Sequence, residues 1–139
     1  MTGKNKVIGG CGFHHVAIRT HDFEAAVKFY TEALGFTEKI SWGEGDSRAI
    51  MLDSGDGNYM EIFAGGKPPP KEEGSIIHFA LRTDDCDKAL ERARKAGAQV
   101  TMESKSLDIQ SKPHVTPVRI AFCKGPSGEV IEFFQNSLT

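Results

Sequence analysis

Two stretches of this chain are versions of one another, and any fold it adopts must accommodate that duplication. HVAIRTHDFEAAV, beginning at His15, aligns with HFALRTDDCDKAL, beginning at His78, at a shift of 63 residues, and six of the thirteen positions are identical. The apolar spacing repeats as well. Phe23, Ala26, Val27 and Tyr30 fall at i, i+3, i+4 and i+7, one face of a helix, and Cys86, Ala89, Leu90 and Ala93 take the same places in the second copy. Asp22 and Asp85 precede these runs as N-caps, and Gly35 and Gly97 follow as left-handed stops. The ends of the copies also match, NYMEIF (58–63) with EVIEFF (129–134), which pairs Glu61 with Glu132 at a shift of 71. The second copy therefore carries about eight additional residues, which we place in 103–116, a polar, proline-containing stretch expected to be a functional loop or lid.

The pattern predicts strand 12–20, helix 22–34 and strands near 37–42, 47–53 and 58–63. Strand 76–82, helix 85–96 and strands near 98–102, 117–123 and 129–135 follow. GGKPPPKEEG (65–74) reads as a linker and residues 1–10 as a frayed tail. The expected fold class is α+β: two tandem βαβββ modules, one over about 12–64 and one over about 75–135, in a single domain covering 1–139.

Alternation along the strands sorts the polar residues. Phe13, His15, Ala17 and Arg19 share one face of the first strand, with His14, Val16 and Ile18 on the other, helix-packed face. His78, Ala80 and Arg82 share a face in the second copy. In the closing strands, Tyr59, Glu61 and Phe63 stand together, as do Val130, Glu132 and Phe134. Two imidazoles and two carboxylates thus point inward from apolar strands. An inward carboxylate is costly unless paired or bound to a cation. Mixed N and O donors suit one divalent ion, Ni²⁺, Co²⁺, Mn²⁺, Fe²⁺ or Zn²⁺, so His15, Glu61, His78 and Glu132 are the candidate metal ligands. Tyr59 and Phe63, beside Glu61, are candidate substrate contacts, and His21 and His114 fall in expected loops.

Net charge is −2 with the signs interspersed, which supplies no basic stripe for nucleic acid. No apolar run approaches the roughly 20 residues of a membrane span. MTGKNKVIGGCG is too short and polar for a secretory signal, so a cytoplasmic protein is expected. Cys11, Cys86 and Cys123 lack CxxC spacing, and the latter two read as core fillers.

HVAIRTHDFEAAVKFYTEALGF, YMEIF, IIHFALRTDD and FCKGPSGEVIEFF together resemble the vicinal oxygen chelate superfamily over about residues 13–135. That superfamily includes glyoxalase I, extradiol dioxygenases, methylmalonyl-CoA epimerase and bleomycin-resistance proteins. The resemblance implies a curved, open mixed sheet around a central metal-binding cleft, a small-molecule substrate and a homodimer. The His, Glu, His, Glu set is most similar to glyoxalase I, or lactoylglutathione lyase. That likeness implies isomerisation of a 2-oxoaldehyde thiohemiacetal to a 2-hydroxyacyl thioester through an enediolate. Glutathione or another thiol would be the co-substrate, Glu132 the catalytic base, and Glu61 its counterpart for the other epimer. Arg19, four residues beyond His15, would bind the anionic tail of the thiol. One position departs: where glyoxalase I carries Asn four residues after its first Glu, this chain has Gly65. The alternatives within the resemblance are an epimerase, whose family usually has Gln at the Glu61 position, an Fe²⁺ extradiol dioxygenase, and a non-catalytic drug-binding protein.

Overall fold

The computed structural model of the chain describes residues 3–33, 35–68, 74–125 and 129–139. The first module contains β1 (Phe13–Arg19), α1 (Phe23–Lys28) widening into a π turn at Phe29–Ala33, and β2 (Thr37–Trp42). A single 3₁₀ turn at Gly45–Ser47 then leads to β3 (Ala49–Asp53) and β4 (Tyr59–Phe63). The second contains β5 (Ile76–Arg82), α2 (Cys86–Lys95), β6 (Gln99–Ile109), β7 (Thr116–Lys124) and β8 (Val130–Gln135). The expected order of elements is present twice. Leu34, residues 69–73 of the expected linker and residues 126–128 lie outside the described residues.

Each module builds its sheet the same way. In the first the order is β2-β3-β4-β1, with β1 parallel to β4 and the other pairs antiparallel. In the second it is β5-β8-β7-β6, with β5 parallel to β8 and β7 antiparallel to β8. By packing, the chain divides into two compact units. One holds His15–Ile77 with Ile109–Val115; the other holds the residues through His14, His78–Asp108 and Thr116–Thr139.

The identical Thr and Asp of the repeat prove to be one capping device used twice. After β1, the Thr20 hydroxyl oxygen accepts the Asp22 N–H at 3.1 Å, and the Asp22 carboxylate accepts the Ala25 N–H at 3.0 Å. After β5, Thr83 accepts the Asp85 N–H at 3.1 Å and Asp85 accepts the Lys88 N–H at 3.0 Å. These bonds satisfy donors that a helix start leaves open and turn the chain sharply from strand into helix. The strand ends are pinned alike, by Thr20 N–H to Phe63 O at 2.9 Å and Thr83 N–H to Phe134 O at 3.3 Å.

Each helix covers one face of its own sheet. Ile18, Ile50, Leu52 and Ile62 are buried with Phe23, Ala26, Val27 and Tyr30 packed against them. Cys86, Ala89 and Leu90 of α2 are buried with Ala121, Cys123 and Phe133. Cys86 and Cys123 are core residues as expected, and burial pushes both thiols up from their ordinary range.

Two expectations need correction. The stretch 103–116 is not a loop throughout, because β6 runs unbroken to Ile109 and only then turns, with Ser41 and Lys112 forming an isolated bridge in the first unit. The tail is not frayed at its inner end either. Ile8 packs on the α2 core, and the Asp84 N–H donates to Gly9 O at 2.9 Å.

Replacing Asp85 with Ala is expected to cost about 1 kcal/mol of stability, the usual worth of an N-cap. Urea unfolding followed by circular dichroism measures it, and an unchanged midpoint would mean that the cap does not help fix the second module.

Candidate functional site

On the face of the first sheet away from α1, strand register lays side chains out in rows. Trp42 pairs with Ala49, Ala49 with Phe63, and Phe63 with Arg19. Two residues along the strands, the row reads Ile40, Met51, Glu61, Ala17. In the next, Tyr59 stands opposite His15. His15 and Glu61 are therefore diagonal neighbours, and Nε2 of His15 lies 3.5 Å from Oε1 of Glu61. Diagonal contact is possible because Glu61's direct neighbour on β1 is an alanine.

The second module repeats the arrangement. Phe122, Glu132 and Ala80 form one row, and Ile120, Phe134 and Arg82 the next. His78, two residues before Ala80 and so on its face, brings Nε2 to 3.0 Å from Oε2 of Glu132. The Phe122 ring stands edge-on to His78, 5.4 Å between centroids. Again an alanine flanks the glutamate. The repeated His-x-Ala thus places an imidazole and then clears room beside the carboxylate it meets.

Burial makes these pairs chemically demanding. His15 is 2% exposed and Glu61 and Glu132 are 5% each, while the His78 side chain is 10% exposed. Charge withdrawn from water this far costs several kcal/mol per ion unless compensated. The donors suit a divalent ion. Nitrogen and oxygen ligands held at 2.0–2.2 Å and near right or tetrahedral angles lie roughly 2.8–3.6 Å apart. The observed 3.0 and 3.5 Å match adjacent ligands of that kind.

Arg19, exposed at the end of the Trp42 row, donates from Nη1 to Ala64 O at 3.0 Å, and its guanidinium carbon lies 5.3 Å from the Phe63 ring centroid. Phe63 and Arg19 are thus brought together on the Glu61 face. Tyr59 is 8% exposed and packs with Ile40 and Met51. His21 and His114 are exposed.

His14 differs from its expected helix-side setting. It is fully buried, its Nε2 is 2.6 Å from Thr139 Oγ1, and its ring lies 4.3 Å from that of Phe134, on the face of β8 away from α2. Gly65 has φ +83°, and a Cβ there would come within 2.8 Å of Asp46 O. No Asn fits at that position without moving backbone.

Trp42 is a site-face residue that alternation alone did not single out. It packs on the Ile40, Met51 and Tyr59 cluster and meets Phe63 edge-on at 6.1 Å. A cavity of about 540 Å³ in this module is lined by Trp42, Ala49, Phe23, Ile50, Arg48 and others, but by neither His15 nor Glu61. Phe23 and Ile50 put it at the helix-side rim, so it does not mark the His–Glu chemistry.

A duplicated βαβββ module that turns an imidazole onto a buried carboxylate in each copy defines a recognisable class. The chain belongs to the Glyoxalase/Bleomycin resistance protein/Dioxygenase superfamily, whose family pattern matches residues 12–133. It is 31% identical over 125 residues to YwbC of Bacillus subtilis (strain 168), covering 87% of this chain and 94% of that protein. It is 29% identical over 129 residues to a probable lactoylglutathione lyase of Vibrio parahaemolyticus, covering 88% of each. Among solved structures, methylmalonyl-CoA epimerase from Mycobacterium tuberculosis superposes with a TM-score of 0.72 at 20% identity, covering 98% of this chain and 93% of that one. At that identity the likeness speaks for the fold alone. Among the described residues, no helix is long and apolar enough to cross a membrane.

If Ala17 clears the space beside Glu61, Ala17→Val should destabilise the protein by about 1–3 kcal/mol through overpacking, whereas the smaller change Ala17→Ser should cost less. Unfolding midpoints decide it; equal effects would remove the steric role.

Proposed function

We propose that the chain is a metal-dependent isomerase of the glyoxalase I type, resembling lactoylglutathione lyase, and that His15, Glu61, His78 and Glu132 jointly hold one divalent ion. The observation that carries the reading is the duplication itself. Each module turns an imidazole, buried in the first and largely buried in the second, onto a buried carboxylate, 3.5 Å apart in the first and 3.0 Å in the second, beside an alanine. A purely structural pair has no need to be built twice on the same pair of parallel strands.

A bound Ni²⁺, Zn²⁺, Co²⁺, Mn²⁺ or Fe²⁺ ion supplies Lewis acidity toward two neighbouring substrate oxygens. Glu132 takes the proton from the carbon that bears the thiol sulfur and returns it to the adjacent carbon, while the hydroxyl proton passes from the oxygen on the first carbon to the oxygen on the second. The thiohemiacetal thereby becomes a 2-hydroxyacyl thioester with no net gain or loss of electrons. Glu61 does the same work for the opposite configuration at that carbon. Arg19, oriented by Ala64 O and Phe63, holds the anionic end of the substrate. Phe63 and Tyr59 furnish the apolar side of the site. Following the resemblance, we place the reaction in a homodimer.

Glu61 separates this reading from an epimerase, which usually carries Gln there. A second inner carboxylate also separates it from the two-His, one-carboxylate dioxygenases. The thiol is a separate matter, because the Asn contact of glyoxalase I has no counterpart at Gly65.

The test is to load the protein with Ni²⁺, Zn²⁺, Mn²⁺ or Fe²⁺ and assay isomerisation of hemithioacetals made from glutathione and from other small thiols. Turnover with at least one ion is expected, lost on chelation and restored on reloading. Glu132→Gln should lower kcat by about 100-fold or more, as expected for loss of a general base. Near-wild-type turnover by Glu132→Gln would overturn its assignment. Metal binding without isomerisation of any hemithioacetal would move the reading to the epimerase or dioxygenase class.

A further inference from the structure

The duplication is not perfect, and its main breach lies on the functional face. In the second module the row beyond the glutamate reads Ile120, Phe134, Arg82. In the first, Ala49 stands where Ile120 stands in the second, with Phe63 and Arg19 in the places of Phe134 and Arg82. Because Ala49 ends at Cβ, the residues on either side of it can meet above it. Trp42 and Phe63 sit two strands apart, about 10 Å between backbones. Only two large rings over a small residue span that distance, and these do so edge-on, with centroids 6.1 Å apart and planes at 82°. The second module has no equivalent, since β6 contains no aromatic residue and Ile120 fills the gap.

The result is a shelf on one side only. Its floor is the Trp42 and Phe63 rings, both half-buried, and Arg19 closes one end with its guanidinium 5.3 Å from the Phe63 centroid. It lies one row from Glu61, two residues or about 7 Å along the strands. A flat group joined to a carbon reacting beside Glu61 reaches that row, whereas a methyl group does not. Apolar side chains that remain half-open beside buried catalytic-type residues are what a ligand ring can cover.

We propose that Trp42 and Phe63 form the subsite for the substrate's side group and select 2-oxoaldehydes bearing an aromatic ring over those bearing a methyl group. This rests on the isomerase reading above and names its substrate class. Trp42 acts as a specificity determinant, with no part in proton transfer.

Hydroxamates test the subsite without turnover, because they chelate divalent ions through two neighbouring oxygens. Benzohydroxamate and acetohydroxamate differ only in phenyl against methyl. With Ni²⁺-loaded protein, benzohydroxamate should bind about tenfold tighter, as one ring-on-ring contact with burial allows. It should also change the emission of Trp42, the chain's sole tryptophan. By calorimetry, Trp42→Ala should lose most of that preference while acetohydroxamate binding stays as in the wild type, and Trp42→Phe should keep part of it. Equal affinities in the wild type, or equal weakening of both ligands by Trp42→Ala, would overturn the subsite and leave the isomerase reading standing. If neither hydroxamate binds because no ion is held, the metal reading fails on its own. The shelf is then judged on metal-free protein with phenylpropanoate against propanoate. A change in Trp42 emission with the former only, lost in Phe63→Ala, upholds it; no change overturns it.

Discussion

A glutamate pointing inward from the middle of an apolar strand has to be met by an imidazole or a cation. This chain arranges that meeting twice. Glu61 and Glu132 are 5% exposed, and each has a histidine Nε2 within 3.5 Å. The neighbouring structure serves that contact. Parallel pairing of β1 with β4 and of β5 with β8 puts histidine and glutamate on adjacent strands. Ala17 and Ala80, both fully buried, keep the ground beside each carboxylate clear. The Thr–Asp caps turn the ends of β1 and β5 into helices that close the opposite face of each sheet. Four of the six identities in the repeated motif thus have a physical task. Histidine and the first alanine serve the site, while threonine and aspartate serve the turn.

Symmetry explains the chemistry common to the halves, and its breaches explain what is particular to this protein. Ala49 against Ile120 decides which half carries an aromatic shelf. Gly65 is a second local feature of this kind. Its positive φ and the close approach of Asp46 O fix a corner after β4 where no side chain fits. Any tail held near that corner must meet backbone, Arg19 or Phe63 instead of an amide side chain.

Much of this was legible in the sequence because it depends on local spacing. Period-two alternation put His15, Glu61, His78 and Glu132 on inner faces, and 3.6-residue spacing with Asp22 and Asp85 located both helices. What escaped depends on neighbours that are distant in sequence. Trp42 gains its place only when register sets it beside Ala49 and Phe63, and nothing between residues 42 and 63 announces that row. His14 depends on Thr139 and Phe134, far along the chain. The extension of β6 was hidden for a different reason. Val100, Met102 and Ser104 face inward in one phase, Leu107 and Ile109 in the other, and the shift at Lys105–Ser106 breaks the alternation just where polar residues suggest a loop.

The central claim is that both imidazole–carboxylate pairs serve one ion. X-ray absorption at the zinc edge of protein loaded with Zn²⁺, with metal content measured on the same sample, tests it most directly. The account requires one zinc per chain, with two imidazoles among nitrogen and oxygen ligands at about 2.0–2.2 Å. The imidazole signal should halve in His15→Ala and equally in His78→Ala. Two ions per chain with a single imidazole each, or zinc that neither substitution disturbs, would contradict it.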